Sequence, residues 1–169
     1  PLEREYGIIN ERPFIDEDVP RYARGGHVKS LKEGALIKGP GKGQDDKIKT
    51  SVPENSYIYD ATTVSMFGDG STKAGNEVLK EFADQIKRKF KNSDKYIIKE
   101  KSKKIPVFLS NGERKEAPQI VSALGNGSNA KGAEILDKMR IKLREHKNSN
   151  GHGLPPKAKH PMEYIRGHI

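Results

Sequence analysis

The segment VSMFGDGSTKAGNEVL, Val64–Leu79, returns as VSALGNGSNAKGAEIL, Val121–Leu136, at a spacing of 57 residues. In a chain of 169 residues, a duplication on this scale leaves room for little beyond the two copies, their connection and the two ends. The alignment runs without gaps from Ser51 to Phe90 in the first copy and from Phe108 to Lys147 in the second. Gly68, Gly70, Ser71, Gly75, Glu77 and Leu79 fall on Gly125, Gly127, Ser128, Gly132, Glu134 and Leu136. Asn55 falls on Gly112, and these two residue types tolerate positive φ best, so a turn is expected there in both copies.

Each copy reads as a strand, a tight turn, a second strand or extended segment, a short helical turn, a glycine loop and a longer helix. Ser71 or Thr72, and Ser128 or Asn129, are natural N-caps for the long helices. Val78, Leu79, Phe82 and Ile86 form one apolar stripe, and Ile135, Leu136, Met139 and Leu143 form its counterpart. Each stripe needs a covering surface, which the other copy can supply. Gly75 and Gly132 fall in the first helical turn, where glycine costs about 1 kcal/mol relative to alanine. Their recurrence points to a close backbone approach; simple inheritance from a duplicated ancestor is the competing explanation. The expected fold is therefore α+β: a small body of two tandem hairpin-plus-helix repeats with extended N- and C-terminal arms. The boundaries are an arm over 1–33, a first repeat over 34–90, a basic linker over 91–106, a second repeat over 107–147 and a tail over 148–169. Within the first repeat, ALI and KIKTSV read as short strands flanking a GPGKGQDD loop. The tail is expected to be extended and to dock through Leu154, Met162, Tyr164 and Ile165.

Composition matters for what surrounds this body. Apolar and charged residues are each 33% of the chain, against roughly half and a quarter in ordinary domains. Such a chain is expected to lean on neighbours for part of its stabilisation. The net charge is +9, distributed unevenly. The start, PLEREYGIINERPFIDEDVP, is acidic, while Lys87, Arg88, Lys89, Lys91, Lys99, Lys101, Lys103 and Lys104 crowd the middle. With Phe90 and Tyr96 interleaved, that segment fits either a sequence-independent contact with nucleic acid or an acidic protein partner. There is no cysteine, which excludes disulfides and thiol chemistry. No apolar run is long enough for a membrane span or a signal peptide.

Motifs for chemistry fail one by one. GPGKGQDD lacks the Lys-Ser/Thr ending of a phosphate loop, because Gly43 and Gln44 follow Lys42. GDGS and GNGS are not dinucleotide fingerprints, because the third glycine is in the wrong place. They set backbone N–H groups at a helix start, which a capped helix explains without a ligand. A calcium loop needs several acidic ligands at alternate positions, and Asp69 is replaced by Asn126 in the second copy. His27, His146, His152, His160 and His168 are scattered, and no carboxylate pair or nucleophile–base arrangement is legible. The expectation is a non-enzymatic chain with no cofactor and no metal.

Four stretches carry a resemblance: ARGGHV at Ala23–Val28, GPGKGQDDKI at Gly39–Ile48, LSNGE at Leu109–Glu113, and VSALGNGSNAKGAEIL. Together they resemble a segment of tailed-bacteriophage virion structural proteins, of the tape-measure and podovirus-like kind. That segment runs Arg-Gly-Gly, Gly-Pro-Gly-x-Gly-x-x-Asp-x-Ile, a Leu-Ser-Asp-Gly-Glu hairpin and Val-Ser-x-Leu-Gly-x-Gly-Ser. The likeness covers Ala23 to Leu143. The first copy has VPENS in place of the hairpin signature, and the second has RKEAP in place of an apolar strand, so that strand is expected to be short or absent. The resemblance implies a virion component assembled in the host cytoplasm and present in several copies. It would bind capsid, portal or tail subunits as a cement, decoration or tail-associated protein. The alternative it leaves open is an internal, ejection-associated protein that contacts DNA through Lys87–Lys104. It names no catalytic residue.

Overall fold

The computed structural model describes residues 25–29, 35–36, 48–96 and 103–169. The expected arm before residue 25, the GPGKGQDD loop, Lys99 and Lys101 lie outside the described residues. The fold is mixed α+β. In chain order it has β1 (Gly26–Lys29), β2 (Ala35–Leu36), β3 (Ile48–Tyr59), α1 (Ala61–Phe67), α2 (Thr72–Phe90), β4 (Lys104–Leu109), β5 (Arg114–Glu116), α3 (Pro118–Leu124), α4 (Asn129–Lys147) and α5 (Pro161–Ile165).

β3 organises the sheet. Its first half, Ile48–Pro53, pairs antiparallel with β4, and its end, Tyr57–Tyr59, pairs antiparallel with β5. β1 lies along β3, and β2 lies along β5. The register has a property that the sequence spacing explains. Thr50 faces Val107, and Ile58 faces Lys115, so each residue meets its own counterpart 57 positions away. Exchanging the copies turns the pair Ile48–Leu109 into Val52–Ile105, and Tyr57–Glu116 into Tyr59–Arg114, all of which are present. The edge strands follow suit: Gly26 faces Ile58 as Ala35 faces Lys115.

Asn55 and Gly112 both have positive φ, 73° and 91°. Only Gly112 separates two strands. Asn55 sits inside the continuous β3 and is skipped where the β1 register jumps from Val28–Ser56 to Lys29–Glu54. The expected turn there is a bulge, which needs the same left-handed residue but bends the strand without ending it.

The helices cross between the copies. α1 packs on α2 and α3 on α4, while α1 also meets α4 and α2 meets α3. Leu79, Phe82, Leu136, Met139 and Leu143 are fully buried in one core with Tyr57, Tyr59, Val64 and Val121. Val78 is only partly buried at its rim. Val52, Ile58, Val107 and Leu109 form a second, smaller cluster in the sheet.

Several expectations are corrected. The stretch to residue 33 includes a strand, β1, because its backbone finds the edge of β3. Ala35–Leu36 and Ile48–Tyr59 are strands, but Ala35–Leu36 pairs with β5 of the second copy. The strand at RKE is short but present. The basic linker ends earlier than expected, because β4 begins at Lys104 to match Pro53. The tail contains the helix α5, with proline at its first turn, instead of being extended throughout. Tyr164 and Ile165 are buried and Met162 partly so, whereas Leu154 is 87% exposed and does not dock.

Candidate functional site

Both glycine loops build a corner between a short and a long helix. Ser71 and Ser128 are the N-caps, accepting from the N–H of Ala74 and Lys131 at 3.1 and 3.2 Å. Asp69 and Asn126 take left-handed φ of 51° and 57°, followed by Gly70 and Gly127 at 104° and 99°. That reversal drives the first turn of each long helix onto the preceding short one. A Cβ on Gly75 would lie 1.6 Å from the Val64 carbonyl oxygen, and one on Gly132 would lie 1.8 Å from that of Val121. Gly68 and Gly125 are equally constrained, with a Cβ 1.9 Å from the carbonyl oxygens of Ser71 and Ser128. The motif residues are thus consumed by packing. Gly70 and Gly127 have open space around them and are needed for φ alone.

Where the two copies differ, polar side chains join them. Asp60 is buried and caps α1 through the Thr63 N–H. It also holds the guanidinium groups of Arg144 at 2.5 Å and Arg140 at 3.8 Å, both from α4. The Tyr57 hydroxyl donates to Asp137 at 2.6 Å, and burial with this carboxylate raises its pKa well above the usual value. On the other side, Arg114 donates to Asn76 of α2 at 2.8 Å. Its strand neighbour Glu116 is buried beside Tyr59, with Arg114 3.9 Å away. Burial pushes the Glu116 carboxyl up to about 7, against the opposing pull of Arg114 and the Ala117 N–H, with Asp84 adding to the rise. Tyr96 also feels this carboxyl; burial first, then Glu116, raises its phenol.

The tail closes over the first corner. Asp69 accepts from the Lys147 ammonium and, at 2.8 Å, from the Ala158 N–H, and both bonds hold its carboxyl below the usual range. Lys147 also donates to the Pro156 carbonyl at 2.9 Å. Tyr164 stacks edge-on against Phe67, shares a 2.7 Å hydrogen bond with His146 and accepts from the Lys159 N–H. Asn126, the counterpart of Asp69, is exposed.

The basic candidates occupy the surface. Lys87, Arg88 and Lys89 lie in the last turn of α2 with Lys91 at its C-cap, Lys103 precedes β4 and Lys104 begins it; all six are exposed. Among the described residues, no group of three or more His, Asp or Glu is placed to hold a metal ion. No described helix is long and apolar enough to cross a membrane. Sequence reasoning missed Asp60, Asp69, Arg140, Arg144 and Lys147. The signal that marks them is divergence: the counterparts of the two carboxylates are Ala117 and Asn126. No protein-family model, curated protein or solved structure matches the chain.

Proposed function

We propose that this chain is a structural component of a tailed-phage virion. It binds and stabilises neighbouring capsid, portal or tail subunits and is present in several copies. The observation that carries the reading is the fate of the residues behind the resemblance. Gly125 and Gly132, like Gly68 and Gly75, are spent on helix–helix contact, and Ser128 on a cap. A motif used this way makes a rigid body, which leaves its surface to do the work. In this reading the body is a duplicated packing unit.

The exposed cations give a second reading its footing: an internal virion protein touching packaged DNA through Lys87–Lys104. One substituted chain separates the two. Neutralising Lys101, Lys103 and Lys104 weakens particle stability and leaves DNA retention unchanged if the partner is acidic protein. Tight duplex binding by the purified chain at physiological salt, steeply salt-dependent and abolished by the same substitutions, would install the DNA reading instead. Loss of neither property would remove the basic segment from the account.

A further inference from the structure

Each half of the chain, up to Tyr96 and from Lys103, uses the other as its partner. The register of β3 with β4 and β5 is unchanged when the halves are exchanged, as the facing pairs Thr50–Val107 and Ile58–Lys115 require. The helices obey the same exchange, α1 on α4 and α2 on α3. So do smaller contacts: Asn129 reaches the Asn55 carbonyl at 3.1 Å, and its counterpart Thr72 lies against Gly112. Apart from the edge strands β1 and β2, which the first half supplies, and the tail, which the second supplies, the paired strands and long helices would let a half pair with a second copy of itself. The charges do not share this symmetry. The second half supplies the cations Arg140, Arg144 and Lys147, and the first supplies Asp60 and Asp69 to meet them.

We infer that the surface between the halves is a heterotypic docking surface: the first half fits the second, in its own chain or in another copy, and neither half fits itself. Pairing two second halves would bring Ala117 and Asn126 to the places of Asp60 and Asp69. Lys147, which is 8% exposed, would be left in a buried position without its carboxylate. Pairing two first halves would leave Lys87 as the single cation facing the buried Asp60, with Ala83 in place of Arg140, and would set Asp69 against Phe90, the counterpart of Lys147. Charge specifies the partner here, as it does where otherwise similar surfaces must be told apart. The inference does not depend on the virion reading, and its failure would leave that reading untouched.

The test uses the full chain with a protease site placed between residues 97 and 102. The folded protein is cut, unfolded in denaturant and refolded, and the products are counted by native mass spectrometry. The expected product is the one-to-one pair of unlike halves, at least tenfold over either like pair. The double substitution A117D/N126D gives the second half its own carboxylates and should raise its like pair at least tenfold. Asp is suited to both places, since Asp60 caps α1 and Asp69 takes the left-handed turn. Like pairs as abundant as the unlike pair in the unsubstituted protein would overturn the inference. So would failure of the cut halves to stay together before denaturant is added, or no gain from the double substitution.

Discussion

Replacing Gly132 by alanine sets two known effects against each other. By intrinsic helix preference the change stabilises by about 1 kcal/mol. The packing effect has the opposite sign. The new Cβ would sit 1.8 Å from the Val121 carbonyl oxygen, 2.7 Å from its carbon and 3.0 Å from Cγ1 of the same residue. A carbon–oxygen contact needs roughly 3.3 Å, so α3 and α4 must separate by about 1.5 Å. The obstacle is backbone inside a helix, so no rotamer change relieves it. The Val121 carbonyl also accepts from Gly125 at 3.1 Å, which ties the corner to its own turn. Overpacking of this kind costs about 1–3 kcal/mol, and a displaced backbone lies at the upper end. The net expectation is a loss of about 2 kcal/mol. Gly127→Ala is the control: it meets nothing within 4 Å and suffers only from its φ of 99°, at about 1–2 kcal/mol. Urea denaturation of both variants and of Gly75→Ala measures the order. A G132A protein as stable as its parent, or more stable, would refute the claim that Gly75 and Gly132 exist for contact.

Met139→Asp and Phe82→Asp each place a charge in a fully buried apolar site, and each should cost about 4 kcal/mol or more by chemical denaturation. Glu116 keeps its proton in the fold up to about 7, whereas the ordinary value is 4.5. The native state therefore binds the extra proton in that window, and stability should decline as pH rises through it, by on the order of 1–3 kcal/mol. Glu116→Gln should flatten that decline in thermal melts; an unchanged slope would assign it to another group. Asp69→Asn should free the tail without unfolding the body. Limited proteolysis would then cut near Leu154–Lys159 faster than in the parent, and the parent should show the same change as pH falls through the depressed Asp69 pKa.

Much of the body was legible because the two similar sequence stretches carry the same local signals. The stripes of Leu79, Phe82, Leu136 and Met139, the caps Ser71 and Ser128, and the glycine corners all follow from local pattern. What escaped was long-range. Pairing of β3 with both β4 and β5 depends on the other copy, and no local pattern announces it. The edge strands had a faint signal: GGHVK at Gly25–Lys29 and GALIK at Gly34–Lys38 resemble each other, and parts of both lie at equivalent edges. Arg114 and Glu116 stand where an apolar strand was expected, and charged side chains are rarely interior. Their burial beside Tyr59 and Asn76 is a tertiary effect. The tail was misread at Leu154 because hydrophobicity alone does not select which apolar residue docks. Tyr164 does so through ring and hydroxyl contacts that Leu154 has no means to make.

The virion role proposed above makes this chain a fixed part of a phage particle, held by protein. Quantitative mass spectrometry of purified virions, before and after release of their DNA, tests it most directly. The account predicts the chain in several copies per particle, in constant ratio to the shell or tail proteins and retained on the emptied particle. Absence from the particle, or departure of the chain together with the DNA, would contradict it.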